Sequence, residues 1–245
     1  MWVPIDHGLS DFPETGLSPI TSLLDSLRDG ADAVVAQKGL VGWAVHGSGY
    51  DDIRFIAHLS ASTVHAGEDS QRKVLVGTPA EARDRGAVGV SVQVNLGSVG
   101  EAAMLEALGQ VTSEAYGIGL PTLGMIYPRG PNLRLRPDDA TGGVAHAVRL
   151  AFEIGCDFVK VPLIEHAVDA IVSAAPIPVL FAGGSADGDF QSILRGLEAA
   201  MRSGAAGACI GRHIFGAADV VGRLKAVRAV VHEGVSAETA LTRYG

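Results

Sequence analysis

Lys160 is the residue whose type and position point most directly to chemistry. It interrupts the apolar run Asp157-Phe158-Val159-Lys160-Val161-Pro162, which otherwise predicts a fully buried strand. A buried ammonium is costly unless it is paired, neutralised or used. Because desolvation lowers a lysine's pKa, we expect the pKa of Lys160 to lie well below its ordinary value, which would leave a neutral amine able to form Schiff bases with carbonyls. The alternative is a lysine whose stem is buried while its head reaches water.

Tyr127 and Asp6 carry the groups that such an amine needs for proton transfer. Tyr127 ends a predicted strand, so we expect its phenol to face Lys160 and to move a proton during cleavage of a C–C bond. Asp6 ends the first predicted strand and is a candidate partner for the lysine or for a substrate hydroxyl. Both residues also have structural interpretations, Tyr127 as an aromatic packed on a loop and Asp6 as the N-cap of a turn.

The elements that position these residues form a repeating unit, in which a helix ends at a glycine and a short apolar strand follows. Gly30, Gly86, Gly155 and Gly204 stand at four such helix ends, where a left-handed conformation stops the helix. Lys73-Val74-Leu75-Val76 is a candidate extra strand. Apolar runs without alternation predict parallel strands buried on both faces at 2–6, 32–36, 53–59, 88–94, 121–127, 157–161, 178–182 and 207–210.

Eight strands separated by helical patterns predict a single α/β domain over residues 1–245, a (β/α)8 barrel, with a doubly wound open sheet as the main alternative. In a barrel, function gathers at the C-terminal ends of the strands. Lys38 is equally well interpreted there as an anion contact or as a surface lysine. Further polar residues that we expect at this rim, as candidates for substrate binding, are His7, Lys38, Ser60, Asn95 and Arg129.

Gly183-Gly184-Ser185 after the seventh strand and Gly211-Arg212 after the eighth form a candidate phosphate site. Glycines let backbone N–H groups approach an anion, and the N-terminus of a following helix adds partial positive charge. Arg212 can bind phosphate oxygens in a bidentate manner. The position after strands seven and eight is the usual phosphate location in barrel enzymes.

Composition excludes several classes of function. Apolar residues make up 47% of the chain, enough for a large core, and the net charge of −8 argues against nucleic acid and anionic membranes as partners. No run of 18 apolar residues and no signal peptide is present, so we expect a cytoplasmic protein. Cys156 and Cys209 are expected to be buried free thiols. His7 and His58 lack metal-ligand spacing, so we expect neither a metal nor another cofactor.

Five motifs in order resemble the archaeal-type class I fructose-bisphosphate aldolase family over nearly the whole chain. Within it, the pattern is most similar to the 2-amino-3,7-dideoxy-D-threo-hept-6-ulosonate synthases and related aldolases of aminohydroxybenzoate biosynthesis. The motifs are Val3-Pro4-Ile5-Asp6-His7-Gly8, Met125-Ile126-Tyr127-Pro128-Arg129-Gly130, Phe158-Val159-Lys160, Ala182-Gly183-Gly184 and Ile210-Gly211-Arg212-His213-Ile214-Phe215.

This resemblance implies a barrel in which Lys160 is the Schiff-base lysine, Tyr127 the proton donor and acceptor, and Asp6 an assisting acid or base. It also implies that the substrate phosphate is held by Gly183, Gly184, Gly211 and Arg212.

The chain departs from the family pattern at several places. Met125 stands where the glycolytic members carry Trp, and the amino-sugar synthases resemble this chain at that position. Met125 is therefore a further candidate for substrate binding. Val161-Pro162-Leu163-Ile164 follows the lysine in place of polar residues, and Ser60-Ala61-Ser62-Thr63 replaces a Ser-Gly-Gly-Thr stretch. The chain also begins directly on the first strand, where relatives carry an extra segment. These differences leave the lysine chemistry in place and the acceptor substrate open.

We therefore expect a metal-independent aldolase or transaldolase that acts on small molecules, namely a phosphorylated ketose and an aldehyde, as a homo-oligomer. Dihydroxyacetone phosphate or a fructose phosphate is the expected donor type, and the resemblance suggests aspartate semialdehyde as acceptor. The alternatives are a glycolytic fructose-bisphosphate aldolase, a lysine-dependent acyl-transferring relative in quorum-signal breakdown, and a phosphosugar-binding barrel without catalysis. Retention of Lys160, Tyr127 and Asp6 together argues against the last.

Overall fold

Eight parallel strands close into a barrel in the computed structural model, which describes residues 1–184 and 188–245. The strands are β1 (Trp2–Pro4), β2 (Ala33–Gln37), β3 (Phe55–His58), β4 (Ser60–Ala61), β5 (Val74–Leu75), β6 (Gly89–Leu96), β7 (Thr122–Pro128), β8 (Phe158–Pro162), β9 (Val179–Ala182) and β10 (Gly207–Cys209). All except β4 and β5 form the barrel in chain order, and β10 pairs with β1 to close it. The predicted (β/α)8 barrel is confirmed, and the open sheet is excluded.

Helices cover the outside of the barrel and connect its strands. Their bounds are α1 (His7–Ser10), α2 (Ile20–Arg28), α3 (Lys38–Gly47), α4 (Pro79–Asp84), α5 (Glu101–Gly117), α6 (Val144–Glu153), α7 (Val168–Val172), α8 (Phe190–Arg202), α9 (Arg212–Phe215), α10 (Val220–Glu233) and α11 (Ala237–Tyr244), with 3-10 turns at Val64–Gln71 and Glu165–Ala167. No helix in the described ranges is both long enough and apolar enough to cross a membrane.

Two separate apolar clusters explain why the strands are hydrophobic on both faces. The larger packs the outer faces of the strands against the helices, and the smaller fills the barrel interior. In β8, Val159 and Val161 belong to the outer cluster. Because successive side chains of a strand point to opposite faces, Lys160 between them points into the barrel. Met125 and Leu180 are its neighbours in register on β7 and β9.

Three of the four glycines expected to stop helices adopt the left-handed conformation: Gly86, Gly155 and Gly204 have φ of 92°, 94° and 88°. Gly30 differs, because it is not among the positive-φ glycines of the described residues. A Cβ on Gly30 would lie 2.0 Å from Cδ2 of Leu224 in α10. This position therefore needs glycine for close packing rather than for its backbone conformation.

The candidate extra strand is present, but it lies outside the barrel. β5 pairs antiparallel with β4, forming a short ribbon beyond the C-terminal end of β3. The predicted third strand at 53–59 is shorter in the structure, because β3 ends at His58 and the ribbon begins at Ser60. The ribbon brings the loop residue Lys73 over the barrel mouth, where it lines the cavity described below.

Candidate active site

A cavity of about 770 Å³ opens at the C-terminal ends of the barrel strands. Its floor is the interior face of the barrel, and its walls are the loops that follow the strands. Most of the predicted site residues line it: Asp6, His7, Met125, Tyr127, Arg129, Lys160, Gly183, Gly184, Gly211 and Arg212. Barrel closure is what assembles them, because they come from five different strand ends.

Lys160 lies on the floor of this cavity and is 6% exposed, so its head does not extend into bulk water. Burial by itself lowers the pKa of the amine, but its interactions with Cys209, Tyr127 and Asp6 together outweigh burial and raise the pKa above its ordinary value. The expectation of a lowered pKa is therefore wrong. That expectation considered burial alone. Closure of the barrel also brings Cys209 of β10, Tyr127 of β7 and Asp6 after β1 close to the amine.

Asp6 occupies the N-cap position of α1, but its side chain makes no capping hydrogen bond. Its carboxylate instead faces two histidines: Oδ2 is 3.8 Å from Nε2 of His58, and Oδ1 is 3.8 Å from Nδ1 of His7. Burial raises the pKa of Asp6, but the charges of His58, His7 and Lys160 bring it below its ordinary value. The side chain is thus a carboxylate at neutral pH beside the lysine.

The two histidines are held in the neutral form. Burial lowers the pKa of His58 to about 4, and its Nδ1 is 2.8 Å from Oγ of Ser91. Burial also lowers the pKa of His7. Neither histidine belongs to a group of three or more His, Cys, Asp or Glu side chains with metal-ligand geometry among the described residues.

Tyr127 ends the interior face of β7 and acts on Lys160 both through a side-chain hydrogen-bonding interaction and through its charge. The guanidinium of Arg129 lies 4.8 Å from the centre of its ring. Arg129 in turn donates from Nε to Oδ1 of Asn95, at 3.0 Å. The phenol is therefore a cavity group held in place by its neighbours, rather than an aromatic packed on a loop.

The candidate phosphate residues lie together between β9 and β10. Nη2 of Arg212 donates to the carbonyl oxygen of Gly184 at 2.9 Å, which ties the two loops together. Gly184 has φ of 76°, and a Cβ on Gly211 would lie 2.4 Å from the Pro4 carbonyl oxygen. Ser185, the third residue of the predicted glycine loop, lies outside the described residues.

Three predicted residues do not line the cavity, and each has another contact. Lys38 forms an ion pair with Glu81 at 2.9 Å. Ser60 is buried, and its Oγ accepts a hydrogen bond from the backbone of Gln93. Asn95 is fully buried, and its Oδ1 accepts a hydrogen bond from Nε of Arg129. Their positions at strand ends were correctly inferred, but the rotation of each side chain depends on its neighbours.

Lys73, Gln93 and Cys209 line the cavity and were not among the predicted site residues. A signal existed for each: Lys73 opens the candidate extra strand, and the other two are polar residues on interior strand positions. Burial raises the pKa of the Cys209 thiol, which is therefore uncharged at neutral pH beside Lys160. It is buried, as expected, but it faces the cavity rather than the outer core.

Comparison with known proteins agrees with this geometry. Residues 1–217 match the model of the DeoC/LacD family of aldolases. The chain is 34% identical over 245 residues to 2-amino-3,7-dideoxy-D-threo-hept-6-ulosonate synthase 1 of Archaeoglobus fulgidus, covering 99% of this chain and 90% of that one. It is 38% identical over 220 residues to 2-amino-4,5-dihydroxy-6-oxo-7-(phosphonooxy)heptanoate synthase of Streptomyces griseus, covering 89% and 79%.

Among solved structures, an archaeal fructose-1,6-bisphosphate aldolase superimposes with a TM-score of 0.81 at 26% identity, covering 94% of this chain and 92% of that chain. In that structure the catalytic lysine is covalently bound to the carbinolamine intermediate of the substrate. The chain therefore belongs to the DeoC/LacD family of aldolases, and it is an enzyme of the class I type, which works through a lysine Schiff base.

Proposed function

We propose that this enzyme joins or separates a phosphorylated ketone and an aldehyde, with Lys160 as the Schiff-base residue. The observation that carries the proposal is the position of Lys160, which is a buried lysine on the floor of the cavity with Tyr127 and Asp6 acting on its amine. An amine so placed can reach a carbonyl only from within the cavity. The resulting iminium then withdraws electrons from the adjacent carbon.

Because the pKa of Lys160 is raised, neighbouring groups must assist the loss of its proton. The amine of the free enzyme is protonated at neutral pH, so it must lose a proton before it attacks the carbonyl carbon. Asp6 is a nearby carboxylate that favours the charged amine, and its lowered pKa prevents it from keeping that proton, so we assign it to relaying the proton to the carbonyl oxygen as the carbinolamine forms. We assign Tyr127 to the later transfers, in which the carbinolamine loses its hydroxyl as water and the new aldol hydroxyl gains or loses a proton.

The donor phosphate would bind between β9 and β10. Gly183 and Gly184 bring backbone close to the cavity, and Arg212 adds a positive charge at its rim. The N-terminus of α8 contributes less than the sequence suggests, because Asp189 already accepts hydrogen bonds from the backbone of Gln191 and Ser192. Arg212 and the glycine loops therefore carry most of the proposed phosphate binding.

The likeness to the Streptomyces griseus synthase supports a specific pair of substrates. In a 4,5-dihydroxy-6-oxo chain, an aldol reaction forms the bond between C4 and C5. Separation at that bond gives dihydroxyacetone phosphate from C5–C7 and aspartate semialdehyde from C1–C4. We propose this pair as donor and acceptor. The dideoxy product named for the Archaeoglobus relative has no oxygen at C7, so a donor released from a deoxyketose phosphate by transaldol transfer is the second candidate.

Borohydride trapping tests the chemistry independently of the acceptor. Reduction in the presence of dihydroxyacetone phosphate should leave a stable adduct on Lys160, located by peptide mass analysis. Lys160→Arg should form none, because a guanidinium does not deprotonate under these conditions. Absence of an adduct in the wild-type enzyme with any phosphoketose would exclude the covalent mechanism. Inhibition by EDTA would point to a metal-dependent reaction instead.

Product analysis with a panel of aldehydes then identifies the acceptor. Aspartate semialdehyde should give a phosphorylated seven-carbon amino acid with dihydroxyacetone phosphate. Glyceraldehyde 3-phosphate tests the fructose-bisphosphate aldolase alternative, which the likeness to the archaeal structure favours. The proposed substrate pair is wrong if only glyceraldehyde 3-phosphate is consumed.

A further inference from the structure

A second pair of cations, Lys73 and Arg129, lines the cavity away from the proposed phosphate site. Arg129 follows β7, and Lys73 precedes β5 in the ribbon next to β6. In the order of strands around the barrel, β8 separates β7 and β6 from β9 and β10, so Lys73 and Arg129 lie on the other side of β8 from Arg212 and the glycine loops. Lys160 on β8 lies on the arc that connects the two groups.

The structure holds Lys73 in place. Its Nζ donates to Oγ of Ser62 at 2.6 Å, and that hydroxyl donates its own proton to the carbonyl oxygen of Ser70 at 2.6 Å. The backbone N–H of Lys73 contacts Sδ of Met104 at 3.4 Å. One proton of the ammonium is therefore committed to Ser62, and the side chain lines the cavity with two further protons able to bind a ligand.

Arg129 is also held in place by hydrogen bonds to buried neighbours. Its Nε donates to Oδ1 of Asn95, and Asn95 is fixed by donating from Nδ2 to the carbonyl oxygen of Gln71 at 2.6 Å. The guanidinium also rests on the ring of Tyr127. These contacts use Nε and the face of the group, which leaves its terminal nitrogens for a ligand.

No ion pair within 4.0 Å in the described ranges includes Lys73 or Arg129. Burial and the charge of Arg129 lower the pKa of Lys73, and the charge of Asp6 opposes them only in part. Burial likewise lowers the pKa of Arg129, and the charge of Arg212 adds to that effect. Two fixed cations that repel each other in a cavity are stabilised when an anion binds between them.

We propose that Lys73 and Arg129 bind the anionic group of the acceptor aldehyde, a carboxylate or a phosphate. The inference rests on the proposed function, because it takes the β9–β10 side as the site of the donor phosphate. A substrate bound through Lys160 would then extend across the mouth with one anionic end at each group of cations. A 7-(phosphonooxy)heptanoate has this form, with a phosphate at one end and a carboxylate at the other.

Acceptor kinetics of Lys73→Met test the assignment, with dihydroxyacetone phosphate as donor. The KM for the preferred anionic acceptor, aspartate semialdehyde or glyceraldehyde 3-phosphate, should rise about tenfold, the loss expected for one charge-assisted hydrogen bond. The aldehyde whose KM rises more identifies the anion as carboxylate or phosphate. The rate with propanal and the KM for the donor should not change. Lys225→Met, which removes a charge from the exposed face of α10, is the matched control and should leave all these values unchanged.

Three outcomes would overturn the inference. A rise in the donor KM would place Lys73 at the donor phosphate, equal losses with propanal would indicate a general structural defect, and unchanged kinetics would exclude any role. Adduct formation between Lys160 and dihydroxyacetone phosphate is measured in parallel. An adduct at wild-type level with unchanged acceptor kinetics means that this inference fails while the proposed function stands; no adduct in the wild-type enzyme means that the proposed function itself fails.

A binding measurement covers the case in which turnover is too slow to follow. Homoserine has the carboxylate of aspartate semialdehyde but an alcohol in place of its aldehyde. It should bind Lys73→Met about tenfold more weakly than the wild-type enzyme. Equal binding to both, or no binding to the wild-type enzyme, contradicts a carboxylate site. Arg129→Gln, which keeps an amide donor for Asn95, is the second variant if Lys73→Met does not fold.

Discussion

At the scale of single residues, the charge state of Lys160 is decided by the groups around it rather than by its burial. Asp6, Tyr127 and Cys209 come from separate strand ends, and their interactions with the amine raise its pKa although burial lowers it. Of the three, Asp6 is ionised at neutral pH, since its own pKa is lowered. Formation of the Schiff base should therefore depend on pH and on this carboxylate.

Asp6→Asn should move the pH dependence of adduct formation to lower pH. Removal of the carboxylate removes a charge that raises the pKa of Lys160, so the neutral amine should become available at lower pH. The measurement is the rate of borohydride-trapped adduct formation with dihydroxyacetone phosphate, which rises with pH below the pKa of the amine and should be higher in Asp6→Asn at each pH from neutral to mildly alkaline. A rising limb that stays in place, or moves to higher pH, would show that Asp6 does not control the amine.

Tyr127→Phe should separate adduct formation from turnover. The Schiff base needs only the lysine, whereas the later proton transfers need a second group, so the variant should still be trapped yet lose roughly 10²-fold or more in turnover. Asp6→Asn is measured beside it, because this carboxylate could take over part of the transfer. Normal turnover in Tyr127→Phe together with a dead Asp6→Asn would assign the proton transfer to Asp6.

At the scale of elements, the contact between the β10 loop and the end of β1 positions the proposed phosphate site. A Cβ at Gly211 would lie 2.4 Å from the Pro4 carbonyl oxygen and 3.1 Å from Cε1 of His7, so the loop packs closely against the end of β1. Arg212 follows at once and binds the Gly184 carbonyl. A shift of this loop would therefore move the arginine and break its contact with the β9 loop.

Gly211→Ala should weaken donor binding more than it slows the chemical step. Its Cβ would lie 2.4 Å from a backbone oxygen, so the loop must move, and we expect the KM for dihydroxyacetone phosphate to rise about tenfold while adduct formation at saturation persists. Gly39→Ala is the matched control, because a Cβ there meets nothing within 4 Å. Equal kinetics in the two variants would argue against a phosphate site at this loop.

At the scale of the whole molecule, the buried neutral histidines link the stability of the barrel to pH. His58 has a pKa of about 4 in the folded protein against an ordinary value of 6.5. The unfolded chain therefore binds a proton between these values that the folded protein does not bind, and stability falls as pH falls through that window. The lowered pKa of His7 acts in the same direction.

The free energy of unfolding should decrease by up to about 3 kcal/mol between pH 6.5 and pH 4 through His58 alone. Urea unfolding of the wild-type protein and of His58→Asn, each at about pH 7 and about pH 5, measures this contribution. The variant should lose less stability on acidification, whatever its stability at neutral pH. An equal loss in both proteins would show that His58 does not carry the effect.

The sequence by itself was sufficient to predict the barrel and most of its strand positions, and most of the site residues that it predicted line the cavity. These depend on local patterns: apolar runs buried on both faces, glycines at helix ends, and polar residues where each strand ends. Lys160 is recognisable in this way, because a lysine between two core valines on a strand is costly without a use.

The tertiary structure alone decided which charges meet. It reversed the expected direction of the pKa of Lys160, paired Lys38 with Glu81, brought Lys73 to the cavity and assigned Gly30 to a close contact with Leu224. Each outcome depends on side chains far apart in the chain that barrel closure and helix packing bring together. Hydrophobic periodicity can be recognised in the sequence, because it depends on residues close together in the chain. Electrostatic neighbours and close contacts arise only when the strands and helices pack together.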